Sequence, residues 1–254
     1  MAEADAWPPA PTPVKAKVIA VIGFPFLALG SGNWAVDAAR EGASWEAFFW
    51  GLAAFMFVVF AATGLTGWQR PRPSRKPPGT GVDDLGNPGL RFRHSLIATC
   101  WFYVLFGIPG VFALALAVDL FRRDRPIVQA VIAAAAAAFL GWFCIAMARR
   151  GRGRLVLTAD GVYHHSALAD QFVPWRSVTG VRAMGGTTPL FLVDYVPSSQ
   201  TRVSRPSYLF IGEPPTLTSI TVTAAQMGRF AEPAYKAVCE YLDNPNRRGN
   251  LGIS

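Results

Sequence analysis

Hydrophobic and polar positions along the chain follow two different patterns. The first 148 residues gather their apolar positions into four long stretches, at residues 18–36, 47–67, 95–118 and 127–148. A membrane-spanning helix needs roughly 20 mostly apolar residues, and these four predict a four-helix transmembrane bundle over residues 14–148. The first span is diluted by Asn33 and glycines. The second is bracketed by Trp45 and Trp68, as an aromatic belt at headgroup level would be. No span carries an ionisable residue at its middle. Such a residue costs at least about 2.5 kcal/mol there and usually marks a transport or proton path.

The pattern stops at Arg149-Arg150-Gly151-Arg152-Gly153-Arg154, and apolar and polar residues then alternate. Short strands are predicted at residues 154–159, 162–166, 171–174, 177–184, 190–196, 208–211 and 217–222. The turn signals between them include Asp160-Gly161, Gly185-Gly186 and Pro197-Ser198-Ser199. Thr223 and Gln226 then form a capping-box pattern. Met227, Phe230, Ala234, Val238 and Tyr241 recur at helical spacing until Asn244-Pro245 ends the helix. Many short strands followed by one amphipathic helix predict a small β-barrel capped by a C-terminal α-helix over residues 149–254.

Two interruptions fall in the spans, Pro25 and Gly107-Ile108-Pro109-Gly110, and both read as packing kinks. Ala130, Ala134 and Ala138, with Ala133, Ala137 and Gly141, place small residues where helix backbones approach closely.

Charge sets the orientation. Lys15 and Lys17 precede the first span; Arg70, Arg72, Arg75, Lys76, Arg91 and Arg93 lie in the second connection; Arg149, Arg150, Arg152 and Arg154 follow the fourth span. The opposite side holds Arg40, Arg122, Arg123 and Arg125, diluted by Asp119 and Asp124. The bias places both termini and the second connection in the cytoplasm of an inner-membrane, multi-pass protein. This placement also turns the net charge of +8 away from nucleic acid.

Residues 1–13, with four prolines and two acids, predict a disordered tail, and favour an uncleaved first span over a signal peptide. Residues 69–93, rich in Pro and Gly, predict a flexible basic linker. Its cations are topology charges first and a patch for anionic lipid second.

The segments Leu155-Val156-Leu157-Thr158-Ala159-Asp160-Gly161-Val162 and Val173-Pro174-Trp175-Arg176-Ser177-Val178, followed by strands and one terminal helix, resemble the bacterial PH-like domain family over residues 150–243. The resemblance implies a partly open seven-stranded barrel capped by the helix, and a binding or scaffold role more than catalysis. Eukaryotic lipid-binding PH domains hold inositol phosphates with basic residues around the first hairpin. The corresponding turn here, Ala159-Asp160-Gly161, is short and acidic, so phosphoinositide binding is not implied.

Candidate chemistry is sparse. His164 and His165 are adjacent on a predicted strand and point to opposite faces, so they cannot serve one metal together. Asp160, His164 and Ser166 resemble a triad in composition only. Arg91, Arg93 and His94 are the one polar group at headgroup level, and read as topology charges. Cys100, Cys144 and Cys239 form no disulfide framework. Trp175 reads as a core aromatic. No catalytic, cofactor-binding or metal-ligating residue is assigned, and no cofactor is expected.

The expected protein is an integral membrane protein whose cytoplasmic PH-like domain acts as a binding or regulatory module. The bilayer is its certain neighbour; a protein partner or anionic lipid at the cytoplasmic face, and homo-oligomer formation, stay open. The alternatives are a small channel or transporter subunit, or a lipid-modifying enzyme.

Overall fold

The computed structural model describes Trp7 and residues 22–67, 78–122, 127–166, 169–185, 189–204 and 218–251. The chain divides into two compact units. One comprises Thr12–Arg70 with Cys100–Arg149; the other comprises Met1–Pro11, Pro71–Thr99 and Arg150–Ser254.

The first unit is helical: α1 (Phe24–Arg40), α2 (Ser44–Gly67), α3 (Leu96–Arg122) and α4 (Ile127–Arg150), with the outermost residues of α3 and α4 belonging to the second unit. Among the described residues, α2, α3 and α4 are long and apolar enough to cross a membrane. α1 is not among them: its 17 residues include Gly30, Gly32, Asn33 and Asp37. Three candidate spans are therefore observed where four were expected. Residues 18–21 and Trp68 lie outside the described residues.

Pro25 does not interrupt α1. It falls in the first turn, where its missing N–H leaves no helical bond unmade. Pro109 lies inside α3, which continues through it. A Cβ built on Gly110 would stand 3.2 Å from Leu140 Cβ, so a small residue here lets α3 and α4 come together. Ala130 and Ala133 of the alanine series are buried.

The second unit is an antiparallel sheet structure with a terminal helix. Its strands are β1 (Gly79–Val82), β2 (Pro88–Arg93), β3 (Arg154–Thr158), β4 (Gly161–His165), β5 (Asp170–Pro174), β6 (Val178–Met184), β7 (Leu190–Tyr195), β8 (Arg202–Ser204) and β9 (Ser219–Thr223). They form a six-stranded sheet in the order β1-β2-β3-β4-β5-β8 and a three-stranded sheet in the order β6-β7-β9. The assembly is open and does not close into the expected barrel: no ladder joins the two sheets, and β1 and β8 are left as edges among the described residues.

The largest departure from expectation is the β1–β2 hairpin, which arises from the linker expected to be flexible. Asp83 organises its turn. One carboxylate oxygen accepts from Leu85 N and Asn87 N, each at 2.9 Å, and the other accepts from Asn87 Nδ2 at 3.0 Å. Gly86 supplies the left-handed backbone the turn needs, at φ 87°. Pro88 begins β2, a position where a strand tolerates the missing donor.

The expected strand at residues 208–211 lies outside the described residues, and β8 was not foreseen. The terminal helix is divided. Thr223 Oγ1 accepts from Gln226 N at 3.3 Å and caps α5 (Ala224–Met227). Gly228, at φ 55°, begins a short 3-10 turn, and α6 (Ala231–Asp243) follows.

One face of the large sheet (Phe92, Leu155, Leu157, Val162 and Val173) joins Phe191, Val193, Ile220 and Val222 of the small sheet and Met227, Ala234, Tyr235 and Val238 of the helices in a single core. Fully burying a side chain of this size stabilises by about 1.5–3 kcal/mol. Trp7 packs against this core, 6.1 Å from Phe191 and 5.6 Å from Tyr235 between ring centroids, so the expectation of a disordered tail does not extend to that residue.

Candidate functional site

In a strand, successive side chains face opposite ways. Phe92, Leu155 and Val162 turn into the core, so Arg91, Arg93, Arg154, Val156, Tyr163 and Phe172 turn to the other side of the large sheet. There Val156, Tyr163 and Phe172 form a second, smaller buried cluster. Arginines cover it. The Arg202 guanidinium lies 4.1 Å above the Phe172 ring, and that of Arg154 lies 5.9 Å above Tyr163. A Cβ on Gly81 would strike the stem of Arg91, so the glycine leaves room for that stem to lie across β1. Long basic side chains can bury their stems in this way while the charged heads stay at the surface.

The register then gathers charge. Arg93 of β2 is directly opposite Arg154 of β3. Arg91, Arg93, Arg152 and Arg154 together line a cavity of about 230 Å³. Arg91 and Arg154 are half-buried, and Arg93 and Arg152 are exposed. Arg152 Nη2 donates to the His94 carbonyl at 2.7 Å, which holds one wall in place. The Nε atoms of Arg91 and Arg154 are shielded from solvent and meet no acceptor. Burial, followed by the charges of Arg93 and Arg154, pushes Arg91 below the ordinary arginine value.

Other arginines of this unit are neutralised. Arg150 pairs with Asp170 at 2.7 Å, Arg182 with Asp194 at 2.5 Å, and Arg202 with Asp84 at 2.7 Å. Among the described residues, none of the four cavity arginines has a carboxylate partner.

All three histidines of the chain lie beside this cluster. His94 and His164 are buried, with ring centroids 5.5 Å apart and both Nε2 atoms without a hydrogen-bond partner. Burial, with the charges of His165 and Arg152, lowers His94 to about 4. Burial, with the charges of His94 and His165, lowers His164 to about 3. Both rings are therefore neutral near pH 7. A Cβ on Gly153 would overlap the His94 ring, so glycine is needed where β3 approaches it.

His165, on the opposite face as expected, sits between two acceptors: its Nδ1 contacts the Asp170 carboxylate, and its Nε2 lies 3.1 Å from the Arg150 carbonyl. Burial alone would raise Asp170, but the hydrogen bond and charge of His165 and the Arg150 guanidinium outweigh it and hold the carboxyl below its ordinary value.

Asp160, His164 and Ser166 are not gathered. Asp160 is in the β3–β4 turn, Ser166 follows the far end of β4 and exchanges hydrogen bonds with Ala169, and the His164 ring is buried between them in sequence. Among the described residues no group of three or more His, Cys, Asp or Glu is placed to hold a metal ion. Trp175 is 4% exposed, and its Nε1 donates to the Thr158 carbonyl at 2.8 Å; it is a core residue.

The convergence of Arg91 and Arg93 with Arg152 and Arg154 was not read from the sequence. The signal was there as two Arg-x-Arg pairs, each running into an alternating apolar segment. Pairing them required knowing that β2 lies beside β3. No family model, curated protein or solved structure matches the chain.

Proposed function

We propose that the chain is an integral membrane protein of four spans, α1 to α4, whose second unit is a cytoplasmic PH-like domain acting as a binding or regulatory module. The observation that carries this reading is the division of labour within the chain. Three helices have the length and composition of membrane spans. The sheet unit has its own core and an arginine-lined cavity. Its basic segments immediately precede α3 and follow α4, where the positive-inside rule favours the cytoplasm.

The PH-like resemblance supports a binding role for a sheet structure closed at one end by a helix. A likeness to that family does not require a closed barrel, since the family expectation was itself of a partly open one.

Reporter fusions after Ser254 and within residues 205–217 test the topology: cytoplasmic activity at both sites is expected, and activity on the opposite side would end this reading. Pull-down from membranes with the full chain, compared with a variant truncated after Arg149, tests the module role. Partners retained only by the full chain are expected.

A further inference from the structure

We propose that Arg91, Arg93, Arg152 and Arg154 form a binding site for a phosphate group, presented either by a lipid headgroup or by a soluble phosphate compound. This deepens the reading of the sheet unit as a binding module.

The argument begins with a cost. Like charges directly across a ladder destabilise it, and here Arg93 faces Arg154 with Arg91 and Arg152 at the same cavity. The fold shows how such charge can be settled internally. Asp170, Asp194 and Asp84 each answer an arginine elsewhere in this unit, and the cavity receives no equivalent. The two shielded Nε donors of Arg91 and Arg154 make the deficit specific, because a buried donor without an acceptor is unfavourable. An anion in the cavity would supply acceptors and cancel the repulsion together.

Chemistry narrows the anion. Guanidinium presents forked, parallel donors that match the oxygens of phosphate or carboxylate. Four such groups around about 230 Å³ exceed what a single carboxylate can answer and suit a tetrahedral group with several charged oxygens. Chain connectivity favours a ligand at the membrane surface. Arg93 lies three residues before Leu96, the start of α3, and Arg152 two residues after Arg150, the end of α4. If those helices span the bilayer, the covalent tether keeps the cavity close to the headgroups.

The site is distinct from the β3–β4 turn. That turn is at Asp160, whereas the cavity is at the other end of the hairpin, where Arg154 pairs with His165.

The test uses the full-length chain in phosphatidylcholine nanodiscs. Thermal unfolding and amide hydrogen exchange over residues 88–94 and 152–156 are the readouts. In one arm inorganic phosphate is titrated against chloride at matched ionic strength. In the other, phosphatidic acid replaces part of the phosphatidylcholine.

Wild type and Arg182→Gln, whose arginine lies on β6 and pairs with Asp194, should gain protection. The double variant Arg93→Gln/Arg152→Gln should lose at least tenfold in apparent affinity. Arg93 and Arg152 are exposed, so this variant should keep its fold; unchanged exchange at β7 and β9 checks that. Protection by free phosphate supports a soluble ligand, and protection by phosphatidic acid alone supports a lipid headgroup. No protection in either arm, an equal effect of chloride, or an undiminished response in the double variant overturns the proposal. The soluble arm needs no assumption about topology, so its failure is separable from failure of the reporter fusions.

Discussion

Arg93 and Arg154 stand opposite each other across the β2–β3 ladder, two cations in direct cross-strand register. Each belongs to a basic segment beside an apolar helix, and the strand pairing makes them neighbours. A like-charge pair in this position costs roughly 0.2–1 kcal/mol. Arg93→Gln should therefore stabilise the unliganded sheet by about that amount, although it removes a charge from the cavity. Hydrogen exchange of the β2 and β3 amides at low salt is the measurement. Slower exchange in the variant is expected, and the difference should shrink as salt screens the pair.

Acidification should weaken the sheet unit in a defined window. His94 and His164 are held neutral by burial, at about 4 and about 3 against an ordinary 6.5. Between 6.5 and these values the unfolded chain binds more protons than the folded one, so stability rises with pH there and is lost as pH falls. The limit is about 1.4 kcal/mol per pH unit for each histidine. The surrounding groups are His165, Arg152 and Asp170. The depressed Asp170 acts with the same sign, but only below its ordinary 3.8. Denaturant midpoints of the full chain from pH 7 to pH 4 should fall. His94→Gln should flatten the slope, and an unchanged slope would rule out His94 as a contributor.

Trp175→Phe keeps the ring in the core and removes one donor. The Thr158 carbonyl then loses the 2.8 Å bond from Nε1, and the Arg248 guanidinium, 4.9 Å from the indole, loses its better aromatic partner. A buried acceptor left without its donor costs about 1–3 kcal/mol. The denaturation midpoint should drop accordingly, with the exchange pattern of β6, β7 and β9 preserved.

Gly89→Ala should be more damaging than its size suggests. A Cβ there would run into the Leu157 carbonyl and the Val156 side chain, so β2 must move away from β3. Overpacking of this kind costs about 1–3 kcal/mol. The same movement separates Arg91 and Arg93 from Arg154. Phosphate protection in nanodiscs should weaken along with stability, whereas Gly180→Ala, at a position with open space around it, should change neither.

Much of this protein was legible in residue order alone, because the relevant free energies are local. The length and hydropathy of residues 127–148 predict α4, and alternation around Asp160 predicts β3 and β4, with the turn one residue earlier than the Asp160-Gly161 signal suggested. Thr223 and Gln226 announce a helix start that the structure shows bonded. Trp175, between a proline and a basic residue, is buried as read. In each case a few neighbouring residues carry the signal.

The β1–β2 hairpin was hidden for the opposite reason. Gly79, Gly81, Gly86 and Pro88 each weaken local strand preference. The pairing that outweighs this, Gly89–Arg93 against Arg154–Thr158, joins segments separated by two long helices. Whether the sheets closed depended likewise on which strands found partners at their edges. The arginine cavity follows from that long-range pairing: two basic segments, each readable as a topology signal in isolation, become one concentration of charge when their backbones share a ladder.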